Sequence, residues 1–223
     1  KRWDEFVRNH PEGTVFHLLN WAEVMVKTYN YKPYYFALED ESENIKAGLP
    51  FFLVDNGIFG KKFISIPFTD YIEPLLNSEN DYQVFFEKIF EIFKKEKLGY
   101  IEIRGKLQNS DNVGFKKNDY FKNFVLSINP DLETVWKRCK QKSVRYSIKK
   151  AEKMGVKIVK SKEKDAIEIF YNLNVLTRKK HGVIPQPYAF FENIWKFLIF
   201  QGYGFISIAW YDKRPIPIPD KKS

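Results

Sequence analysis

Two hydrophobic patterns alternate along the chain. In some segments apolar residues recur every three or four positions, as in amphipathic helices, and in others they alternate with polar residues or form short runs, as in strands. In the first half these patterns predict helices over Trp3–Asn9, Asn20–Tyr29 and Asp81–Lys97. They predict strands over Tyr34–Glu39, Lys46–Val54, Phe59–Ile66, Tyr100–Arg104 and Tyr120–Ile128. Asn56-Gly57 predicts a hairpin between the second and third of these strands.

The same two patterns return after Asn129-Pro130, which marks a boundary. Helices are predicted over Leu132–Cys139, Ser143–Met154, Glu163–Lys180 and Pro187–Phe200. Strands are predicted over Val156–Lys160 and Gly204–Tyr211, with a further strand from Arg214 after a turn at Asp212-Lys213. The inner faces of the two longest helices are expected to carry Val84, Phe85, Ile89, Ile92 and Phe93 in the first half and Ile169, Leu173 and Leu176 in the second.

Helices and hairpin strands alternate in both halves, which indicates the α/β (α+β) class and two similar units over residues 1–128 and 129–223. Pro215, Pro217 and Pro219 interrupt the segment that should continue as sheet, since proline is confined to sheet edges. The second unit is therefore expected to be incomplete at its C-terminal end.

Composition narrows the class of protein. The chain is 44% hydrophobic and 17% aromatic, enough for a packed core and too much for a disordered chain. Its single cysteine, Cys139, excludes a disulfide framework, and its three histidines lack metal-ligand spacing, so no metal site is predicted. No apolar run approaches the roughly 20 residues that span a bilayer. A cytoplasmic protein is expected, with contact at the inner face of a membrane left open.

The net charge of +9 is concentrated in one region. Twelve Lys or Arg residues and two Glu residues lie between positions 136 and 164. Arg145, Lys149 and Lys153 fall on one face of the predicted helix, where like charges repel each other by a few tenths of a kcal/mol per pair. A polyanion that accepts this face, such as a phosphate, a nucleic acid or an anionic lipid surface, would explain it, and an ordinary solvated face is the alternative.

Four segments together resemble the FemAB-like branch of the GNAT-fold transferases, including the related BioF2-like acetyltransferase domains. They occur in the family's order: Thr14–Trp21, Ser65–Leu75, Lys142–Val156 and Arg178–Pro187. The resemblance implies tandem GNAT-like units with mixed, mostly antiparallel sheets flanked by helices. It also implies transfer of an aminoacyl or acyl group to an amine acceptor, such as the side chain of a peptidoglycan precursor. The donor would be an aminoacyl-tRNA or an acyl-CoA, with no permanently bound cofactor.

Three features depart from the family pattern. The second unit stops early, a long coiled-coil arm is absent, and Gln201–Gly204 has the wrong spacing for the glycine-rich loop that holds the pyrophosphate of CoA. The donor consequently stays unresolved between tRNA and CoA. The oligomeric state has no signal in the sequence.

The resembling segments supply the candidate site residues. Asp70 and Tyr71 lie in a proline-rich aromatic loop, where a carboxylate with a raised pKa would suit proton removal from an attacking amine, and an Asx-turn is the alternative. The candidates for binding substrate phosphate or an oxyanion are Lys142, Arg145, Lys149, Arg178, His181 and Tyr188. For His181 a helix-dipole partner, and for Tyr188 a half-buried core residue, are the alternatives.

Two functions follow. The first is FemAB-like transfer to a small-molecule or muropeptide-like acceptor by direct attack in a ternary complex, since no convincing nucleophile for a covalent intermediate is present. The second is a non-catalytic module that binds RNA, including tRNA, or an anionic surface through the basic helix over residues 142–154.

Overall fold

A computed structural model describes residues 1–55, 57, 60–69, 71–78, 80–95, 99–105, 107, 114–118, 122–128 and 131–216. The chain forms two compact units, Lys1–Asn123 and Phe124–Ser223. Both combine helices with a sheet that is largely antiparallel, so the predicted mixed α/β class is confirmed. That each unit is GNAT-like stays a prediction.

The first unit is built around one five-stranded sheet. Its strands are β1 (Lys32–Glu39), β2 (Ile45–Asp55), β3 (Lys61–Ile64), β4 (Leu75–Leu76) and β5 (Tyr100–Glu102). The order is β1-β2-β3-β5, with β4 also paired to β2, and all pairs are antiparallel except β3 with β5. The central strand β2 has a continuous buried run because helices cover the sheet: α1 (Arg2–Asn9), α2 (Leu19–Tyr29) and α3 (Asn80–Lys95).

Aromatic and aliphatic side chains form the core of this unit. Phe51, Phe52 and Phe86 are buried, and so are Leu49 and Met25. A further cluster joins α1, the segment before α2, and β4 through Trp3, Val7, Leu18 and Leu75. This cluster attaches the loop between β3 and β4 to the N-terminal helices.

The second unit has a smaller sheet, β6-β7-β8, which is antiparallel throughout. Its strands are β6 (Lys157–Ser161), β7 (Ile206–Tyr211) and β8 (Arg214–Pro215). Its helices are α4 (Leu132–Arg138), α5 (Tyr146–Lys153), α6 (Lys164–Lys180) and α7 (Tyr188–Ile194), with π-helical turns at Gln141–Arg145 and Trp195–Ile199. The predicted turn at Asp212-Lys213 is confirmed, and both residues have positive φ as a tight hairpin turn requires.

Several boundaries and faces differ from the predictions. β2 and β3 pair as predicted, but β2 ends at Asp55 and β3 begins at Lys61, so the connection is longer than a two-residue turn. Residues 122–128 form no strand, and Phe124 is almost fully exposed. The strand predicted there has no neighbouring strand among the described residues to pair with.

Two predicted inner faces are only partly confirmed: Phe85 and Ile89 are buried as predicted, and Ile169 and Leu173 are half-buried. In α3 the buried side is Tyr82, Phe85, Phe86 and Ile89, whereas Val84 and Ile92 are exposed. In α6 the buried residues are Ala166 and Ile167, and Leu176 is 58% exposed. Ile167 and Leu176 are nine positions apart, and at 100° per residue this spacing places them on opposite faces of the helix. When one of the two side chains is buried, the other is therefore exposed.

Candidate functional site

The loop that connects β3 to β4, residues 65–74, has an unusual backbone. Ile66 and Phe68 both have positive φ, 48° and 65°. Positive φ is rare for a β-branched residue such as Ile66, which is also fully buried. Residues in such conformations cost about 1–3 kcal/mol each and cluster at ligand-binding and active sites. This loop, called the 65–74 loop below, is therefore the first candidate site.

The 65–74 loop is bonded near both ends, at Ser65 and at Ile72, to the last residue of β5 and the residues that follow it. The Ser65 backbone N–H donates to the Glu102 carbonyl at 2.8 Å, and the Ile72 N–H donates to the Arg104 carbonyl at 2.6 Å. In return the Arg104 N–H donates to Ser65 Oγ at 2.9 Å. The Arg104 side chain pairs with Glu102, with Nε and Oε1 2.6 Å apart. These bonds keep a strained backbone in one geometry.

The last part of the loop is also tied to the turn before α2, through His17, which is 1% exposed. The ring atom Nε2 lies 2.9 Å from the Glu73 carbonyl oxygen, and Nδ1 lies 3.2 Å from the Thr14 backbone nitrogen. Burial lowers the pKa of His17 to about 4, so the ring is neutral at physiological pH. Trp3 Nε1 donates to the His17 carbonyl at 2.7 Å and fixes the backbone beneath it.

The 65–74 loop presents aromatic and polar groups to solvent. Phe68 and Tyr71 are each 43% exposed. The Phe68 ring stacks on Tyr29 with centroids 4.7 Å apart, and Tyr29 stacks in turn on Tyr31 at 5.4 Å. The Tyr71 hydroxyl donates to the Glu73 carboxylate. Partial burial, followed by this hydrogen bond, raises the pKa of Tyr71, so its hydroxyl stays protonated and can act only as a neutral donor or acceptor.

The second candidate site is the basic segment of the second unit. Lys142 and Arg145 lie in the π-helical turn and Lys149 in α5, so all three belong to one continuous helical segment. None of its residues is buried, and the apolar stripe at Val144 and Ile148 is exposed. Arg145 is half-buried, and its Nε has no hydrogen-bond partner in the described part of the chain.

Three further candidates lie where α6 ends and α7 begins. Arg178 is in the last turn of α6, His181 is the residue that caps it, and Tyr188 is the first residue of α7. Tyr188 packs edge-on against Tyr171 of α6, with centroids 5.2 Å apart. Tyr171, Asn174 and Arg178 follow each other at helical spacing and share one half-buried face.

Two polar atoms near this face are buried without a hydrogen-bond partner among the described residues. They are Asn174 Nδ2 and Gln186 Oε1, the latter two residues before Tyr188. Unpaired buried polar atoms are uncommon in folded proteins, and a bound water, ion or ligand group is one explanation for them.

Comparison with known proteins gives a similarity to one family. The model of the FemAB family matches residues 112–209. The chain is thus similar to the FemAB family over this range. The lipid II:glycine glycyltransferase of Staphylococcus saprophyticus is 25% identical to it over 237 aligned positions, which cover 96% of this chain and 55% of the relative. The enzyme of the same name from Staphylococcus epidermidis is 22% identical over 241 positions, with the same coverage. The chain thus spans about half the length of these relatives.

The fold agrees with that assignment. The crystal structure of FemX superposes with a TM-score of 0.65 over 94% of this chain and 56% of FemX, at 17% sequence identity. The resemblance inferred from four short segments is therefore confirmed. Among the described residues no helix has both the length and the apolar character needed to cross a membrane.

The structure groups only some of the residues predicted for this FemAB-like site. Tyr71 lies beside Glu73, Tyr188 lies beside Tyr171, and the three basic candidates follow one another along the helical segment. Asp70 lies outside the described residues. The roles assigned to all eight candidates stay predictions.

Sequence reasoning did not find the residues that hold the 65–74 loop. His17, Glu73 and Arg104 have partners 14 to 56 positions away in the chain or in the loop itself. One local signal was present: Thr14 and His17 have the spacing of a capping box, in which the fourth residue bonds back to the backbone of the first.

Proposed function

We propose that this FemAB-like protein transfers an aminoacyl or acyl group to the amine of a muropeptide-like acceptor, a cell-wall precursor. The observation that carries the proposal is the relationship to two lipid II:glycine glycyltransferases along 96% of the chain, so that it includes both units and both candidate sites. Those relatives are named for lipid II as acceptor and glycine as transferred group. At 22–25% identity, only the class of acceptor and of transferred group is proposed for this chain.

The proposed chemistry is direct attack in a ternary complex. The acceptor nitrogen attacks the carbonyl carbon of an aminoacyl ester or acyl thioester, a C–N bond forms, and the C–O or C–S bond to the donor breaks. The proton released by the nitrogen passes to Asp70, which then returns it, directly or through solvent, to the leaving oxygen or sulfur. Tyr71, whose hydroxyl proton is donated to Glu73, would orient the acceptor by accepting a hydrogen bond from its N–H group.

The basic residues would supply binding rather than proton transfer. Lys142, Arg145 and Lys149 are proposed to contact the phosphates of the donor or of a nucleotide-linked or lipid-linked acceptor. Arg178, His181 and Tyr188 are proposed to bind the substrate or the developing oxyanion. The donor, aminoacyl-tRNA or acyl-CoA, stays open. We place the reaction in the cytoplasm, with peripheral contact at the inner membrane surface if the acceptor is lipid-linked.

The direct test is a transfer assay on this chain. It offers a UDP-linked muropeptide with a free side-chain amine, together with either a mixture of charged tRNAs or acetyl-CoA, and detects the product by mass spectrometry. We expect a product with one donor class only and a large loss of turnover in Asp70→Asn, with the fold intact. Full activity of Asp70→Asn would remove this carboxylate from the mechanism, and the absence of product with either donor would refute the transferase proposal.

The alternative is a module that binds RNA or an anionic surface without chemistry. The observation that favours it is the basic helical segment, which buries none of its residues and exposes Lys142 and Lys149. RNA binding of this kind should weaken steeply with salt, because each phosphate contact releases a counterion.

The double variant Arg145→Ala/Lys149→Ala distinguishes a specific face from general charge. We expect it to weaken tRNA binding and to lower the slope of log K against log salt by about 1 to 2, since two contacts are removed. Lys94→Ala/Lys95→Ala is a matched control, because it removes the same charge from exposed positions of α3. Equal effects of both double variants would show that only net charge matters, and unchanged affinity in the first would exclude these residues from the binding surface.

A further inference from the structure

His17 is fully buried and is bonded on both sides of its ring. It belongs to the short helical turn Val15–His17 that precedes α2. Its two ring nitrogens reach different parts of the first unit: Nδ1 the backbone of Thr14 within its own turn, and Nε2 the carbonyl of Glu73, 56 positions later in the chain. A buried imidazole needs hydrogen-bond partners for both ring nitrogens, and here the partner of Nε2 belongs to a loop that is distant in sequence.

The bond to Thr14 determines which nitrogen carries the proton. A backbone N–H can only donate, so Nδ1 must accept from the Thr14 nitrogen 3.2 Å away. The Thr14 hydroxyl oxygen lies 2.9 Å from Nδ1, and with Nδ1 unprotonated it also donates to this nitrogen. The proton of the neutral ring is consequently on Nε2. There it points at the Glu73 carbonyl oxygen 2.9 Å away, which can only accept. The Thr14 bond therefore prepares His17 to donate to the 65–74 loop.

The Glu73 residue passes this constraint to the exposed part of the loop. Its carbonyl accepts from His17 while its carboxylate accepts from the Tyr71 hydroxyl. Two residues further on, Leu75 is fully buried in β4 and pairs with Gly48 of β2. Glu73 is thus the last point at which the loop backbone is held before it enters the sheet.

We propose that His17 is a positioning residue for the 65–74 loop: by donating from Nε2 to the Glu73 carbonyl it sets the place of Glu73 and, through the Glu73 carboxylate, of Tyr71. The functional half of this inference rests on the proposed transferase activity, because it takes the 65–74 loop as the acceptor site. His17 touches no reacting atom and is not a catalytic residue. Its effect on transfer passes entirely through the loop.

Two substitutions separate the two bonds of His17. In His17→Gln the side-chain amide nitrogen can occupy the place of Nε2 and donate to Glu73, while the bond to Thr14 is lost. In His17→Asn the amide oxygen can occupy the place of Nδ1 and accept from Thr14, while Glu73 is out of reach. Both remove a buried imidazole, so their global stabilities, measured by urea unfolding, serve as the matched control.

Amide hydrogen exchange followed by mass spectrometry measures how often the 65–74 loop opens, and it needs no ligand. In His17→Asn we expect exchange of peptides from the 65–74 loop to quicken by about tenfold, equivalent to about 1.4 kcal/mol in the local opening equilibrium. In His17→Gln we expect loop exchange close to that of the unchanged protein, with faster exchange confined to residues 14–18. Equal loop exchange in the two variants, whether fast or slow, would overturn the proposal.

The transfer assay with the UDP-linked muropeptide reads the functional half. We expect turnover to fall in His17→Asn and to be largely retained in His17→Gln. Equal turnover in the two variants, despite different loop exchange, would overturn a role of His17 in the reaction. If the unchanged protein transfers nothing from either donor, the proposed function fails, and the exchange experiment still decides whether His17 holds the loop.

Discussion

Acid should destabilise the first unit through His17, and the direction follows from its surroundings. Burial of the ring is the main cause that lowers its pKa from 6.5 to about 4, and the nearby His10 acts in the same direction. The unfolded chain therefore binds a proton at a higher pH than the folded protein does. The contribution of neutral His17 to stability is complete above about pH 6.5 and is lost as the pH falls towards 4.

The size of the effect follows from the same two values. One pKa unit corresponds to about 1.4 kcal/mol, so the whole shift is equivalent to about 3 kcal/mol. At pH 4.5, between the two values, linkage gives a loss of roughly 2.5 kcal/mol relative to pH 7.5. This is a substantial part of the 5–15 kcal/mol that typically stabilises a domain.

Urea unfolding at pH 7.5, 5.5 and 4.5 measures the loss, with His17→Gln as the reference. The transition that this substitution shifts at pH 7.5 is that of the first unit. All ionisable groups other than residue 17 are the same in both proteins, so the difference between the two pH dependences isolates His17. We expect the unchanged protein to lose about 2 kcal/mol more than His17→Gln between pH 7.5 and 4.5. Parallel pH dependences would refute the reasoning, because they would mean that His17 titrates alike in the folded and unfolded chain.

Three further tests concern side-chain packing and backbone conformation. Gly48→Ala should lower the free energy of unfolding, measured in urea, by about 1–3 kcal/mol, because the new Cβ would lie 2.7 Å from the Trp3 ring, which a hydrogen bond holds in place. Trp3→Phe should lower the free energy of unfolding less in the Gly48→Ala protein than in the unchanged protein. Lys213→Gly should stabilise the second unit by about 1 kcal/mol, since Lys213 has a φ of 60°, a left-handed conformation that favours glycine. A lower urea midpoint in this variant would contradict the expectation. Ile167→Ala should lower the free energy of unfolding by about 2–5 kcal/mol and Leu176→Ala by under about 1 kcal/mol, since Ile167 is 2% exposed and Leu176 is 58% exposed. Equal losses in the two variants would contradict the observed buried face of α6.

Long periodic segments were predictable from the sequence because their patterns repeat many times. α3 and α6 were located to within two residues, and the pairing of β2 with β3 followed from Asn56-Gly57. Elements without repetition were not predictable. β4 has only two residues, Leu75–Leu76, and it is a strand only because these two residues pair with β2. The exposed segment of residues 122–128 has a short apolar run, Phe124–Leu126, as a strand can have, yet such a run alone provides no partner strand.

The differences between the predicted and the observed buried faces of α3 and α6 have a related cause. Apolar residues are abundant in both helices, so several faces satisfy the periodicity, and the neighbouring elements decide which one is buried. In α3 the aromatic residues Tyr82, Phe85 and Phe86 occupy the inner side, and Val84 is left outside. A hydrophobic stripe in the sequence therefore predicts a helix more securely than it predicts the orientation of that helix.

The candidate sites divide in the same way. Charge is local in sequence, so the basic segment with Lys142, Arg145 and Lys149 was found directly, and it recurs in the structure as one continuous helical stretch. The charge indicates an anionic ligand without choosing among phosphates, RNA and lipid. Tyr71 was found through the resemblance, whereas the hydrogen bond that keeps it protonated depends on Glu73 and is visible only in the folded chain.

The 65–74 loop shows why a binding loop is the hardest part to derive from local sequence. Such a loop must be exposed to meet a ligand and must still hold one shape. Here Ile66 and Phe68 adopt positive φ at a cost of about 1–3 kcal/mol each, which no local preference of these residues offsets. A hydrogen bond contributes a net of about 1 kcal/mol, so one tether alone does not balance the strain. The bonds of Ser65 and Ile72 to the segment Glu102–Arg104 and the bond of Glu73 to His17 must act together, and loss of either should let the loop relax even though the loop sequence is unchanged.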